Sequence, residues 1–169
     1  MTSLPDLGIG NCNSGAVVAD GTAFYVNDGI GWGGPETITS LTPSIQRGFV
    51  KATRTGLPAP STVTALNLYA HPGRGLVRVA LYNSQKKLLW ESKPRRLNGE
   101  AGVLKFPIRR GFPSSLPQLR KGVYFLAWQL ESDDPVPSYK KGANGDGWTL
   151  EQPFGPFPAR VTGAQVTSD

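Results

Sequence analysis

Gly75-Leu-Val-Arg-Val-Ala-Leu-Tyr-Asn83 and Val123-Tyr-Phe-Leu-Ala-Trp-Gln-Leu130 are the two stretches whose reading decides the fold. In the first, Val77, Val79 and Leu81 alternate with Arg78 and Ala80, the period of two expected of a strand with one buried and one wet face. In the second, both alternating sets are apolar, which predicts a central strand covered on each side, entered by a turn at Lys121 and Gly122. Outward from these, the same kind of short run recurs at Gly48–Thr55, Val63–Ala70, Lys87–Ser92, Gly102–Ile108 and Ala159–Val166. Strong breakers separate the runs: Leu57-Pro-Ala-Pro60, His71-Pro-Gly73, Asn98-Gly99, Phe112-Pro113, Leu116-Pro117 and Asp134-Pro-Val-Pro137. No stretch of about ten residues between them keeps a helical period free of Gly and Pro.

Composition agrees with this pattern. Gly and Pro supply 36 of the 169 residues, which disfavours helices, while 38% hydrophobic content is enough to build a core. The length suits one domain. The expected fold is therefore an all-β, antiparallel β-sandwich, jelly-roll-like, with residues 1–46 as an N-terminal arm and first strand and residues 47–169 as the sandwich. A single cysteine, Cys12, leaves the fold without an internal disulfide, so packing must hold it. Met1 to Gly10 has neither the basic nor the apolar region of a secretion signal, and no run approaches the roughly 20 apolar residues of a membrane span. The expectation is a chain that has lost a signal or leaves its cell by another route, such as inside a virus particle.

Charge is segregated. Residues 1–46 contain no Lys or Arg and four acids (Asp6, Asp20, Asp28, Glu36), so they sum to −4 and the remainder to +10. Such an arm either lies along a basic surface, its own or that of a neighbouring copy, or is a solvated loop with incidental charges.

The order Thr62-Val-Thr-Ala-Leu-Asn-Leu-Tyr69, Gly75-Leu-Val-Arg-Val-Ala-Leu-Tyr-Asn83, Lys87-Leu-Leu-Trp-Glu-Ser92 and Leu119-Arg-Lys-Gly-Val-Tyr-Phe-Leu-Ala-Trp128 resembles jelly-roll modules of bacterial surface proteins and of phage tail and virion proteins. The resemblance covers about residues 47–160 and implies a fold rather than an activity, such modules being commonly non-catalytic. Modules of this kind usually close with a further aromatic-rich strand, whereas this chain runs out through Ala164-Gln-Val-Thr-Ser-Asp169. The edge so left calls for a filler, either the N-terminal segment around Thr22-Ala-Phe-Tyr-Val26 or another subunit.

Residue chemistry argues against an enzyme. One His and one Cys exclude a Cys/His metal cluster, and a Ser-His-Asp arrangement would depend on His71, which reads as a turn residue before Pro72-Gly73. Glu91, Glu100, Glu131 and Asp133 are carboxylates of the type a glycosidase pairs, yet no local motif activates any of them. Gly8-Ile-Gly10 lacks the following helix and the Lys-Ser/Thr of a phosphate loop. Asp133-Asp134 and Asn144-Gly-Asp-Gly147 read first as turns; their oxygens could also serve a structural Ca²⁺, although neither has EF-hand spacing. No cofactor is expected.

Basic pairs at Lys86-Lys87, Arg95-Arg96, Arg109-Arg110, Arg120-Lys121 and Lys140-Lys141 fall near strand ends, where they read as solvated rims or contacts to an acidic neighbour, without the stacking array of a specific nucleic-acid site. Trp32, among glycines, and Trp148, after Asn144-Gly-Asp-Gly147, are expected on loops. There they either stack on a sugar, with Tyr139 as a third contact, or tuck under the loop or against a neighbouring subunit. Trp90 and Trp128 belong to strand patterns and are expected in the core. Phe154 and Phe157, in Pro153-Phe-Gly-Pro-Phe-Pro158, read as anchors of a proline-stiffened segment. The expected role is a structural or adhesive module of a virion, tail-associated or capsid-decorating. Its expected partners are other virion proteins and copies of itself as a homo-oligomer, with no membrane contact. The alternative is a carbohydrate-binding module of a secreted or cell-surface protein, with Trp32, Tyr139 and Trp148 as its glycan contacts.

Overall fold

The computed structural model describes residues 14–18, 23–26, 47–57, 59–60, 62–70, 73–99, 102–108, 118–132 and 144–167, and every regular element among them is a strand. In chain order these are β1 (Ser14–Val18), β2 (Ala23–Val26), β3 (Phe49–Leu57), β4 (Val63–Ala70), β5 (Leu76–Asn83), β6 (Leu88–Glu91), β7 (Arg95–Arg96), β8 (Gly102–Pro107), β9 (Gly122–Leu130), β10 (Gly147–Glu151) and β11 (Gln165–Thr167). They pair antiparallel into a smaller sheet, β2-β1-β4-β8, and a larger one, β11-β10-β3-β9-β5-β6, with β7 also on β5. The chain is an all-β antiparallel sandwich. Its long strands β3, β4, β5, β8 and β9 alternate between the two sheets in the jelly-roll manner.

The bounds of β4 and β5 coincide with those expected, and β9 takes the central place its two apolar faces require, between β3 and β5. β10 and the short β7 carry no alternation that marks them in advance. The run Ala159–Val166 is only partly a strand: β11 is confined to Gln165–Thr167, and the residues before it, from Gln152 to Ala164, follow an irregular course with one isolated bridge, Arg160 to Lys87. At the edge of the smaller sheet the N-terminal segment covers β4 with Ser14–Val18, not with the expected Thr22-Ala-Phe-Tyr-Val26 stretch. It does so as a hairpin, with β2 on β1 and β1 on β4.

Between the sheets lies the main core, in which Leu66 and Leu68 of β4 and Leu104 and Phe106 of β8 face Val77, Val79 and Leu81 of β5 and Tyr124, Leu126 and Leu130 of β9. Trp90 is buried here, and Trp128 is half-buried against it with the Lys51 Nζ 5.8 Å from its ring centroid.

The outer face of the larger sheet is a second core, and this corrects the reading of β5 as wet on one side. Arg78, Ala80 and Tyr82 are all buried. Register explains it. Ala80 pairs with Ala127, Ala127 with Ala52 and Ala52 with Trp148, so three small side chains lie in one row across β5, β9 and β3. Flanking this shallow row are Gln129 and Val50 on one side and Tyr82 and Phe125 on the other. Large groups therefore fit above the alanines. Trp148 enters from β10, and Phe157 and Val161 come down from the C-terminal segment, closing a cluster with Val50, Tyr82 and Phe125.

Candidate functional site

The C-terminal strap, Gln152 to Ala164, is the part of the molecule that the sheets do not dictate, and its attachments define the one chemically rich region among the described residues. Gln129, fully buried, holds it twice: Nε2 donates to the Pro153 carbonyl at 3.3 Å and Oε1 accepts from the Gly155 N–H at 3.4 Å. Gln152 donates its own N–H to the Gly48 carbonyl and its Nε2 to the Pro156 carbonyl. The Tyr82 hydroxyl donates to the Pro158 carbonyl at 2.9 Å. These bonds satisfy backbone groups that an irregular segment on a sheet face would otherwise leave unpaired.

Charge completes the attachment. Arg78 Nη2 lies 2.7 Å from Glu91 Oε2, with the two side chains 10% and 31% exposed. The guanidinium also donates to the Ser92 carbonyl from Nε and Nη2, and it sits 5.8 Å from the Phe157 ring centroid. Glu91 Oε2 accepts in addition from the Phe157 N–H at 3.0 Å. An arginine in a strand can be buried in this way only because its donors meet a carboxylate, a carbonyl and an aromatic face together. Glu91 is thus tied to the fold through Arg78 and Phe157, and Glu131 is likewise engaged, its Oε2 accepting from the Leu76 N–H.

Tyr82 stands between the charged pair and the aromatics, with Trp148 edge-on at 5.5 Å and Phe157 at 6.4 Å between ring centroids. Burial, and secondarily the negative charge of Glu91, push its hydroxyl well above the usual tyrosine range. The unfolded chain's tyrosine ionises at about pH 10, so above that pH the unfolded state binds fewer protons than the native state and stability falls. At neutral pH, Tyr82→Phe should cost about 1 kcal/mol for the lost hydrogen bond. Above about pH 10 the wild type, but not the variant, loses roughly 1.4 kcal/mol per pH unit from this group. Chemical denaturation of both proteins between neutral and strongly alkaline pH should therefore show the gap between them closing. A gap of constant size would contradict the buried, bonded hydroxyl.

Of the expected glycan contacts, Trp32 and Tyr139 lie outside the described residues. Trp148 is corrected: the turn at Asn144–Asp146 ends one residue earlier than a loop tryptophan requires, and Trp148 is the second residue of β10, 1% exposed and unable to offer a ring face to a sugar. Its Nε1–H is the one buried side-chain polar atom among the described residues without a hydrogen-bond partner. Phe157 is a buried anchor and Phe154 a partly buried one, as the proline-stiffened reading expects. His71, Glu100, Asp133 and Asp134 lie outside the described residues. Among those described, no three His, Cys, Asp or Glu side chains gather as metal ligands, and no helix is long and apolar enough to cross a membrane.

Two surface features remain after these attachments. One is the β11 edge, where Val166, directly opposite Trp148, is 59% exposed and is the only large hydrophobic so exposed among the described residues. The other is a basic corner where the turn between β5 and β6 meets the strap at Lys86, Lys87 and Arg160. The pair Lys86-Lys87 is visible in sequence. Its meeting with Arg160 depends on the path of the strap and leaves no local signal. Comparison with known proteins returned no match, whether to family models, to curated proteins or to solved structures.

Proposed function

We propose that this chain is a non-catalytic structural or adhesive module of a phage particle, tail-associated or capsid-decorating, that works by assembly with protein neighbours and with copies of itself. The observation that carries the assembly part is the β11 edge. Edge strands present unpaired backbone groups to other chains, and proteins usually guard them with charge. Two other borders of the sandwich are guarded so: Lys105 is exposed on β8, and Lys87, Lys93, Arg95 and Arg96 are exposed along β6 and β7. β2 carries no charge but packs against β3. The stretch Val161-Thr-Gly-Ala-Gln-Val-Thr-Ser168 carries no charge either, and it ends the larger sheet with an exposed valine. Strand addition at such an edge is a common mode of protein recognition. The phage setting is supported by the ordered resemblance of residues 47–160 to tail and virion jelly-roll modules.

Sedimentation analysis tests the assembly directly. The wild type is expected to form a discrete oligomer that Val166→Lys converts to monomer without loss of the β-sheet spectrum, because a lysine there places charge on the joining edge. A wild type that stays monomeric at high concentration would overturn the self-assembly.

A further inference from the structure

We propose that the corner built by Lys86, Lys87 and Arg160 is a binding site for a phosphate group. Three observations converge there. First, Lys87 and Arg160 face each other across an antiparallel bridge. The two flanking bonds, Leu88 N–H to the Ala159 carbonyl at 2.9 Å and Val161 N–H to the Lys86 carbonyl at 3.0 Å, make them a non-hydrogen-bonded pair. In that geometry opposed side chains are closest, with Cα atoms about 4.5 Å apart, and like charges repel. Both side chains are exposed and neither is in an ion pair among the described residues.

Second, Lys86 holds a backbone that suits glycine. Its φ is +57°, and it is the only non-glycine residue with positive φ among those described. The turn itself is well made: Asn83 Oδ1 accepts from the Gln85 and Lys87 N–H groups, and the Asn83 carbonyl accepts from the Lys86 N–H. Glycine is the residue that usually occupies the left-handed position after such a turn. A lysine there carries a steric cost, and it places a third cation at this corner. Third, the Lys86 Nζ lies 5.9 Å from the Trp148 ring centroid, a cation–π contact that restricts its head group.

A phosphate fits this arrangement because its several oxygens can accept from a lysine and an arginine at once and relieve their repulsion. Whether the phosphate is free or carried on a chain, the chemistry at the corner is the same. Titration of the full chain with sodium phosphate, followed by two-dimensional NMR, should give saturable shifts at the amides of Lys87, Leu88, Arg160 and Val161 beyond those caused by sodium chloride at equal ionic strength. Arg160→Gln and Lys87→Gln should each weaken binding roughly tenfold, the loss of about one charge-assisted hydrogen bond. Lys86→Gly, which suits the backbone and keeps the fold, should weaken it as well, and Lys105→Gln on the far sheet should not. A phosphoserine peptide that binds more tightly than inorganic phosphate, while its unphosphorylated form does not bind, assigns the site to a chain-borne group; binding no tighter than that of phosphate assigns it to the free ion. Shifts matched by chloride, or unchanged affinity in Arg160→Gln and Lys87→Gln, would overturn the site.

Discussion

Replacing Trp148 by alanine is expected to destabilise the protein by about 3–5 kcal/mol, the usual cost of deleting a fully buried indole and leaving its cavity. The ring is 1% exposed and touches the rings of Tyr82 at 5.5 Å and Phe125 at 6.2 Å between centroids. The three alanines beside it, Ala52, Ala127 and Ala80, are too small to collapse into the space. For a domain of this size the loss corresponds to a melting temperature lower by roughly 10 °C. Trp148→Phe should cost far less, because it keeps most of the packing and removes an indole N–H that has no acceptor. Thermal or urea denaturation of the two variants checks both statements. An alanine variant within about 1 kcal/mol of wild type would mean that the ring is not in the second core.

The second large effect is expected at Glu91. Glu91→Ala leaves the Arg78 guanidinium, 10% exposed, without its carboxylate and the Phe157 N–H without its acceptor. Removing one partner of a buried pair costs about 3–5 kcal/mol, and the partial exposure of Glu91 places this case near the lower end. Arg78→Met combined with Glu91→Leu should recover much of that loss, since an apolar pair leaves no stranded charge. Urea midpoints of the single and double variants measure the coupling. Losses that simply add would contradict a direct pair.

Both effects sit over the side of β5 that its alternation alone assigns to solvent, and the reason lies in register. Alternation in Leu76–Tyr82 shows which residues share a side, but it does not show whether alanine and arginine on the second side meet water or protein. That depends on Ala80, Ala127 and Ala52 coming into one row, which three distant strands determine together. β9 gave no such ambiguity, because Phe125 and Ala127 opposite Leu126 and Leu130 already required cover on both faces. For Trp148 the local signal is true but stops one residue short: Asn144-Gly-Asp-Gly147 does turn the chain, and the strand begins on the last glycine of the turn, so the ring is buried from β10 and not from a loop. The expected runs are strands wherever neighbouring strands pair along their length. Ala159–Val166 failed over most of its length because Arg160 alone finds a bridge partner before Gln165. Its proline-stiffened approach was legible from Phe154 and Phe157, whereas what they pack against was not. Of the candidate glycan contacts only Trp148 falls among the described residues, and the exposure of a tryptophan is a tertiary property with no sequence period.

The strap decides which surfaces of this molecule face the outside, and nuclear Overhauser contacts among the Tyr82, Trp148 and Phe157 rings test its placement most directly. Cross-peaks joining Tyr82 to both other rings are expected, from the 5.5 Å and 6.4 Å centroid separations. Cross-peaks from Tyr82 to Trp148 alone, with Phe157 at random-coil shifts, would show an uncovered outer face and contradict the account.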